Sequence, residues 1–179
     1  MTTPPRRYLV LAGLALLVIF VVHQAIFSWP AEKQAFTKQQ KLIEAIESRK
    51  WGRVHRLTAE DYADSLGMDR EALVLALRDL GSQFWTILEL NWEMSDLQRD
   101  GDAVVITGNL RLSGEGGVFA PMAVQHARPF ANKPFTFRWR KTGAMPWKWR
   151  LESVNHPDAK FPDGYTPGDL RRRTGFGDL

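Results

Sequence analysis

The four histidines, His23, His55, His126 and His156, are the first side chains to weigh for chemistry. No two of them stand at the spacing that places metal ligands on one helix face. The chain holds no cysteine, which excludes disulfides, thiolate metal sites and cysteine nucleophiles. No metal and no cofactor is therefore expected. His55 in "WGRVHRL" reads as part of a surface turn, His126 falls in a long loop, and His156 ends the last strand before Pro157. The glycines of "SGEGG", Ser113 to Gly117, lack the Lys-Ser/Thr and the strand-to-helix setting of a phosphate loop. Asp61 and Tyr62 put an acid beside a phenol, types that general acid–base catalysis uses. However, "TAED" from Thr58 to Asp61 matches a capping box, which occupies Asp61 and starts a helix whose Tyr62 reads as core. No catalytic residue is assigned.

A second pattern is the stretch "FTFRWRKTGAMPWKWRLESV", Phe135 to Val154, in which rings and cations alternate along two arms. Open to solvent, such a sheet would stack bases and hold phosphates. Buried, it is the wall of a core. Amphipathic helices elsewhere in the chain need an apolar partner, and burying about seven rings is worth on the order of 10 kcal/mol. The rings therefore turn inward, and no nucleic-acid partner is expected. Arg138, Arg140, Lys148 and Arg150 then form an outer basic face, either matched by Glu89 and Glu93 across the sheet or open to an acidic partner or anionic lipid.

The formal charge of +4 supports the same exclusion once it is divided by region. Arg6 and Arg7 supply two charges, and the four bases after Asn155 balance four acids. Between Glu60 and Asp102 eleven acids face only Arg70, Arg78 and Arg99. The body is polarised, not uniformly basic.

"YLVLAGLALLVIFVV" from Tyr8 to Val22, extended to Trp29, has the length and composition of a single membrane crossing with Tyr8 and Trp29 at the two headgroup belts. A cleaved signal is the rival reading, but small residues at cleavage spacing are missing. Residues 1–7 then form a cytoplasmic leader and 8–29 a signal anchor. Lys33, Lys38, Lys41 and Arg49 downstream point to a domain kept inside, whereas a short two-arginine leader before a long domain points outside. The expectation is an extracytoplasmic domain.

Beyond Ala31 the periodicity is helical three times: Glu32 to Lys50, a short helix from Thr58, and Asp69 to Gly81, with Asp69 as cap and Gly81 as terminator. It then alternates. "ILELNWEM" puts Leu88, Leu90, Trp92 and Met94 on one face, "DG" at Asp100 marks a hairpin, and the return arm presents Val104, Ile106, Leu110 and Leu112, interrupted by Gly108 as a bulge or bend. A Gly- and Pro-rich excursion follows, with a possible short strand at Val118 to Val124, then the two aromatic arms. On the second arm Trp147, Trp149 and Leu151 share a face. Residues 157–179 read as an extended or disordered tail.

Helices followed by a curved antiparallel sheet ending in "FTFRWRK" and "WKWRLESV", with Trp149, Leu151, Ser153 and Val154 in the closing arm, resemble the nuclear-transport-factor-2-like superfamily over Ala31 to His156. The resemblance implies an α+β cone, cystatin-like in layout, shared with SnoaL-type cyclases and ketosteroid isomerases. It also implies a cavity used variously for catalysis, ligand binding or dimerisation. The isomerases' buried Tyr and Asp have no matching motif here. Tyr62, Trp92, Phe137, Trp139 and Trp149 are the expected cavity wall. Because the inward positions are nearly all apolar, the expected function is that of a noncatalytic, membrane-anchored cone that contacts a protein partner or a second copy, or serves as an envelope-associated accessory or scaffold. A small hydrophobic ligand, or an enzyme of isomerase or cyclase type, is the alternative.

Overall fold

The computed structural model describes residues 11, 14–18, 20, 30–85, 87–117, 120–127, 132–143, 145, 147–160 and 164–169. Among the described residues four helices and four strands follow Pro30: α1 (Ala31–Glu47), α2 (Trp51–Leu57), α3 (Arg70–Ser82), β1 (Ile87–Asp100), β2 (Ala103–Glu115), α4 (Ala120–Ala127), β3 (Phe135–Lys141) and β4 (Trp149–Asn155). The strands form one antiparallel sheet in the order β1-β2-β3-β4, with the helices packed on it.

α1 buries Ala35, Gln39, Leu42 and Ile46, a run at i, i+4, i+7 and i+11 that makes one stripe toward the sheet. The turn after it places Arg49 at φ 54°, the left-handed region that disfavours a side chain. Its guanidinium donates to the Phe84 carbonyl, a contact that holds the residue there. α3 begins as expected, with Asp69 accepting from the Ala72 N–H at 2.8 Å. Gly81 does not terminate it. The helix runs through Ser82, and a Cβ on Gly81 would fall 2.8 Å from the Trp51 ring, so the glycine serves the close approach of α2 and α3.

Four sequence expectations are corrected. No helix begins at Thr58: α2 ends at Leu57, and His55 lies in that helix, not in a turn. Residues 58–63 instead run along the open edge of β4, where the Ala59 and Ala63 N–H groups donate to the Leu151 and Glu152 carbonyls at 2.8 and 3.2 Å. Pairing a bare strand edge outweighs local capping propensity. The Gly- and Pro-rich excursion holds a helix, α4, where a short strand was expected. Trp147 lies before β4 and is 54% exposed.

The hairpin turns at Gly101–Asp102, with Asp100 opposite Ala103 and Gly101 at φ 63°. The bulge expected near Gly108 sits on the facing strand, at Ser95 between Met94 and Asp96. Gly108 lies opposite Met94, and a Cβ there would meet the Trp92 ring at 2.7 Å. A second bulge leaves Glu152 as the extra residue between Leu151 and Ser153 of β4. The rings face inward, with Phe137, Trp139 and Trp149 all buried beneath the helices.

Of the Tyr8–Trp29 run, most lies outside the described residues. Leu11, Leu14 to Val18 and Phe20 are helical and exposed. Among the described residues no helix is long and apolar enough to cross a membrane. Within the tail, residues 164–169 lie against α3: Oδ2 of the buried Asp79 accepts from the Tyr165 hydroxyl at 3.0 Å and the Gly168 N–H at 2.8 Å.

Candidate functional site

An apolar cavity of about 210 Å³ lies between α3 and the concave face of the sheet. Leu73, Leu77 and Leu80 of α3 form one wall, and Leu90, Phe137 and Leu151 the other. Leu42 and Ile46 of α1, with Tyr62, Met68 and His156, also line it. The local sequence explains each wall. α3 turns three leucines inward at i, i+4 and i+7, and the strands turn in every second residue.

Three polar side chains of this cavity, Tyr62, Asp64 and His156, are engaged by hydrogen bonds. The Tyr62 hydroxyl donates to Oδ2 of Asp64 at 2.9 Å, while Oδ1 of Asp64 accepts from the N–H groups of Leu66 and Met68, each at 2.9 Å. Burial, and then the adjacent Asp64 carboxylate, push the Tyr62 phenol well above its ordinary range. It stays protonated at any physiological pH. His156 accepts at Nδ1 from the Asp158 N–H at 3.1 Å, which assigns the proton to Nε2, where the ring meets the Lys133 carbonyl at 3.1 Å. Its ring also packs on Phe135, with centroids 4.5 Å apart.

Of the five residues expected as cavity wall, Tyr62 and Phe137 line it. Trp92 stands behind Phe137, edge to face at 5.1 Å. Trp139 and Trp149 are spent on the core, their indole N–H groups donating to Gln39 at 2.8 Å and Gln34 at 2.9 Å. The leucines of α3 were recognised as a helix face but not as a wall, since only the tertiary gap between helix and sheet makes them one. Among the described residues no group of three or more His, Cys, Asp or Glu is placed to hold a metal.

The outer face differs from the expected arrangement. Arg138 pairs with Asp100 and, at 2.9 Å, with Glu152; Arg140 pairs with Asp61 at 2.6 Å and Glu152 at 3.3 Å. Glu89 and Glu93 are not their partners, because the register sets them opposite Ser113 and Asn109 of β2, beyond the stretch Ala103 to Gly108 that pairs with β3. Hydrogen bonding to Arg140 holds the Asp61 carboxyl below its usual range. Lys148 and Arg150 take no part in this network: among the described residues neither is in an ion pair.

Among the described residues, four helices over a four-stranded antiparallel sheet with an apolar cavity between make an α+β fold of cone-like layout. Two solved structures similar to this chain, Bd1075 and the Planctomyces limnophilus protein, agree with it in fold. Bd1075 of Bdellovibrio bacteriovorus matches with TM-score 0.52 and 10% identity over 73% of this chain and 41% of its own. A conserved protein from Planctomyces limnophilus matches with TM-score 0.51 and 13% identity, covering 70% of this chain and 93% of its own. An NTF2-like protein of unknown function from Pseudomonas putida has TM-score 0.49 and 13% identity over 75% of this chain and 89% of its own. No family model and no curated protein matches. Likeness at such identity is a likeness of fold, and activity resides in side chains that differ.

Proposed function

We propose that this chain is a noncatalytic α+β cone, tethered to a membrane by its N-terminal apolar segment with the domain on the extracytoplasmic side, and acting as an accessory protein through contact with a protein partner. The observation that carries this reading is that Tyr62, Asp64 and His156 are each engaged by hydrogen bonds within the chain. A catalytic cavity needs convergent polar groups free to meet a substrate. Contact through the surface is supported at the α3–β1 junction, where Trp85 is 74% and Ile87 40% exposed. Exposed aromatic side chains of this kind are the usual anchors of protein interfaces. The tether is supported by the run from Tyr8 to Trp29 and by the exposure of its helical leucines, which water solvates poorly.

A photoreactive phenylalanine in place of Trp85, in the full chain in its native membrane, tests the contact. One discrete crosslinked protein is expected from position 85 and none from position 60, which is exposed and polar. Equal labelling from both positions would remove the proposed interface. A second reading, a small hydrophobic ligand, is favoured by the cavity itself, whose walls are aliphatic and aromatic. A stoichiometric apolar molecule released when the detergent-extracted chain is denatured would establish it.

A further inference from the structure

The indole N–H of Trp149 donates to Oε1 of Gln34 at 2.9 Å, and this bond ties the start of β4 to the first turns of α1. The β3–β4 loop therefore lies beside the end of α1 at which Pro30 joins the N-terminal apolar run. Within that loop the Thr142 N–H donates to the Lys148 carbonyl at 2.7 Å and the Lys148 N–H to the Met145 carbonyl at 3.1 Å. It presents Met145 and Trp147 to the outside at 43% and 54% exposure, with Lys148 beside them.

Cations gather at the same corner. Lys38 lies four residues after Gln34 on α1 and Lys41 three further, while Arg150 follows Trp149 on β4. Among the described residues none of Lys38, Lys41, Lys148 and Arg150 is in an ion pair, whereas Asp61, Asp100 and Glu152 are occupied by Arg138 and Arg140. Partial burial, then the Lys41 and Arg150 charges, hold the Lys38 ammonium below its ordinary value, a penalty that a bound anion relieves.

We propose that this corner is a membrane-docking rim, in which Met145 and Trp147 enter the headgroup–acyl boundary and Lys38, Lys41, Lys148 and Arg150 hold anionic lipid headgroups. Trp and Met supply the apolar insertion, and cations on long stems reach phosphates around it. The occupant is a bilayer because the apolar run leaves the domain at this corner. The inference rests on the tether of the preceding section.

The test uses the full chain in phosphatidylcholine vesicles with and without phosphatidylglycerol, some of the lipids brominated near the headgroup. The Trp147 emission is read as the difference between the wild type and Trp147→Phe, a conservative change at an exposed site. Its loss on bromination is expected, deeper with phosphatidylglycerol, and the added part is expected to vanish in Lys38→Gln/Arg150→Gln. Flotation after a carbonate wash reads the tether separately. If the chain floats but Trp147 is unquenched, the rim is overturned and the tether stands; if the chain does not float, both fall. Quenching indifferent to phosphatidylglycerol overturns the headgroup assignment.

Discussion

The indole N–H of Trp139 donates to Oε1 of Gln39 at 2.8 Å, across one hundred residues of chain, with both side chains fully buried. It fixes α1 against β3 at the centre of the core. Trp139→Phe keeps most of the ring but strands the glutamine carbonyl, and it is expected to cost about 2 to 3 kcal/mol. Gln39→Leu removes both of the glutamine's buried polar atoms. The double variant should therefore lose less than the sum of the two single losses, by about 1 kcal/mol or more in urea denaturation. Strict additivity would show that the bond contributes nothing.

Gly81→Ala tests the approach of α2 to α3. In an exposed helix this change stabilises by up to about 1 kcal/mol, because alanine is the better helix former. Here the new methyl meets the Trp51 ring at 2.8 Å, so a loss of about 1 to 3 kcal/mol is expected. Trp51→Leu in the same background should recover part of it. A stabilised Gly81→Ala would mean that the two helices stand further apart.

The pair of Asp61 with Arg140 should leave a mark on acid stability. Hydrogen bonding to Arg140 lowers the folded-state value of this carboxyl below its ordinary 3.8, so its contribution is present above that value and is lost as pH falls through the lower one. Asp61→Asn is expected to lower the urea midpoint at neutral pH, and the gap from the wild type should close in strong acid. A gap that persists unchanged at low pH would sink the assignment.

Tyr165→Phe removes the hydroxyl that reaches Asp79 and leaves the Gly168 N–H in place. The expected cost is about 1 kcal/mol, with faster proteolytic trimming of the tail and unchanged protection of β3 and β4. Unchanged trimming would show that this contact does not hold the segment.

Much of the cone can be read from residue order. The inward rings of β3, the hairpin at Asp100 and the Asp69 cap follow from period and local chemistry, which act over a few residues. Where tertiary contact decides, the residues mislead. "TAED" has every feature of a helix start, yet its Thr58 N–H closes the end of α2 and its Ala59 N–H bonds to β4. Gly81 looks like a terminator and serves a helix crossing. The ion pairs of Arg138 and Arg140 depend on the bulge that turns Glu152 between them, and a one-residue insertion in a ladder leaves no trace in composition. The cavity was legible as a class of feature from the resemblance, but its α3 wall was not, since no residue in α3 states how far it stands from the sheet.

α1 starts at Ala31, directly after Pro30, and is bonded to the sheet through both Gln34 and Gln39. α1 is thus a rod of about 25 Å fixed to the domain from its first turn. Under the proposed tether, any freedom of the domain relative to a bilayer would have to come from the residues before Pro30, because α1 itself supplies none.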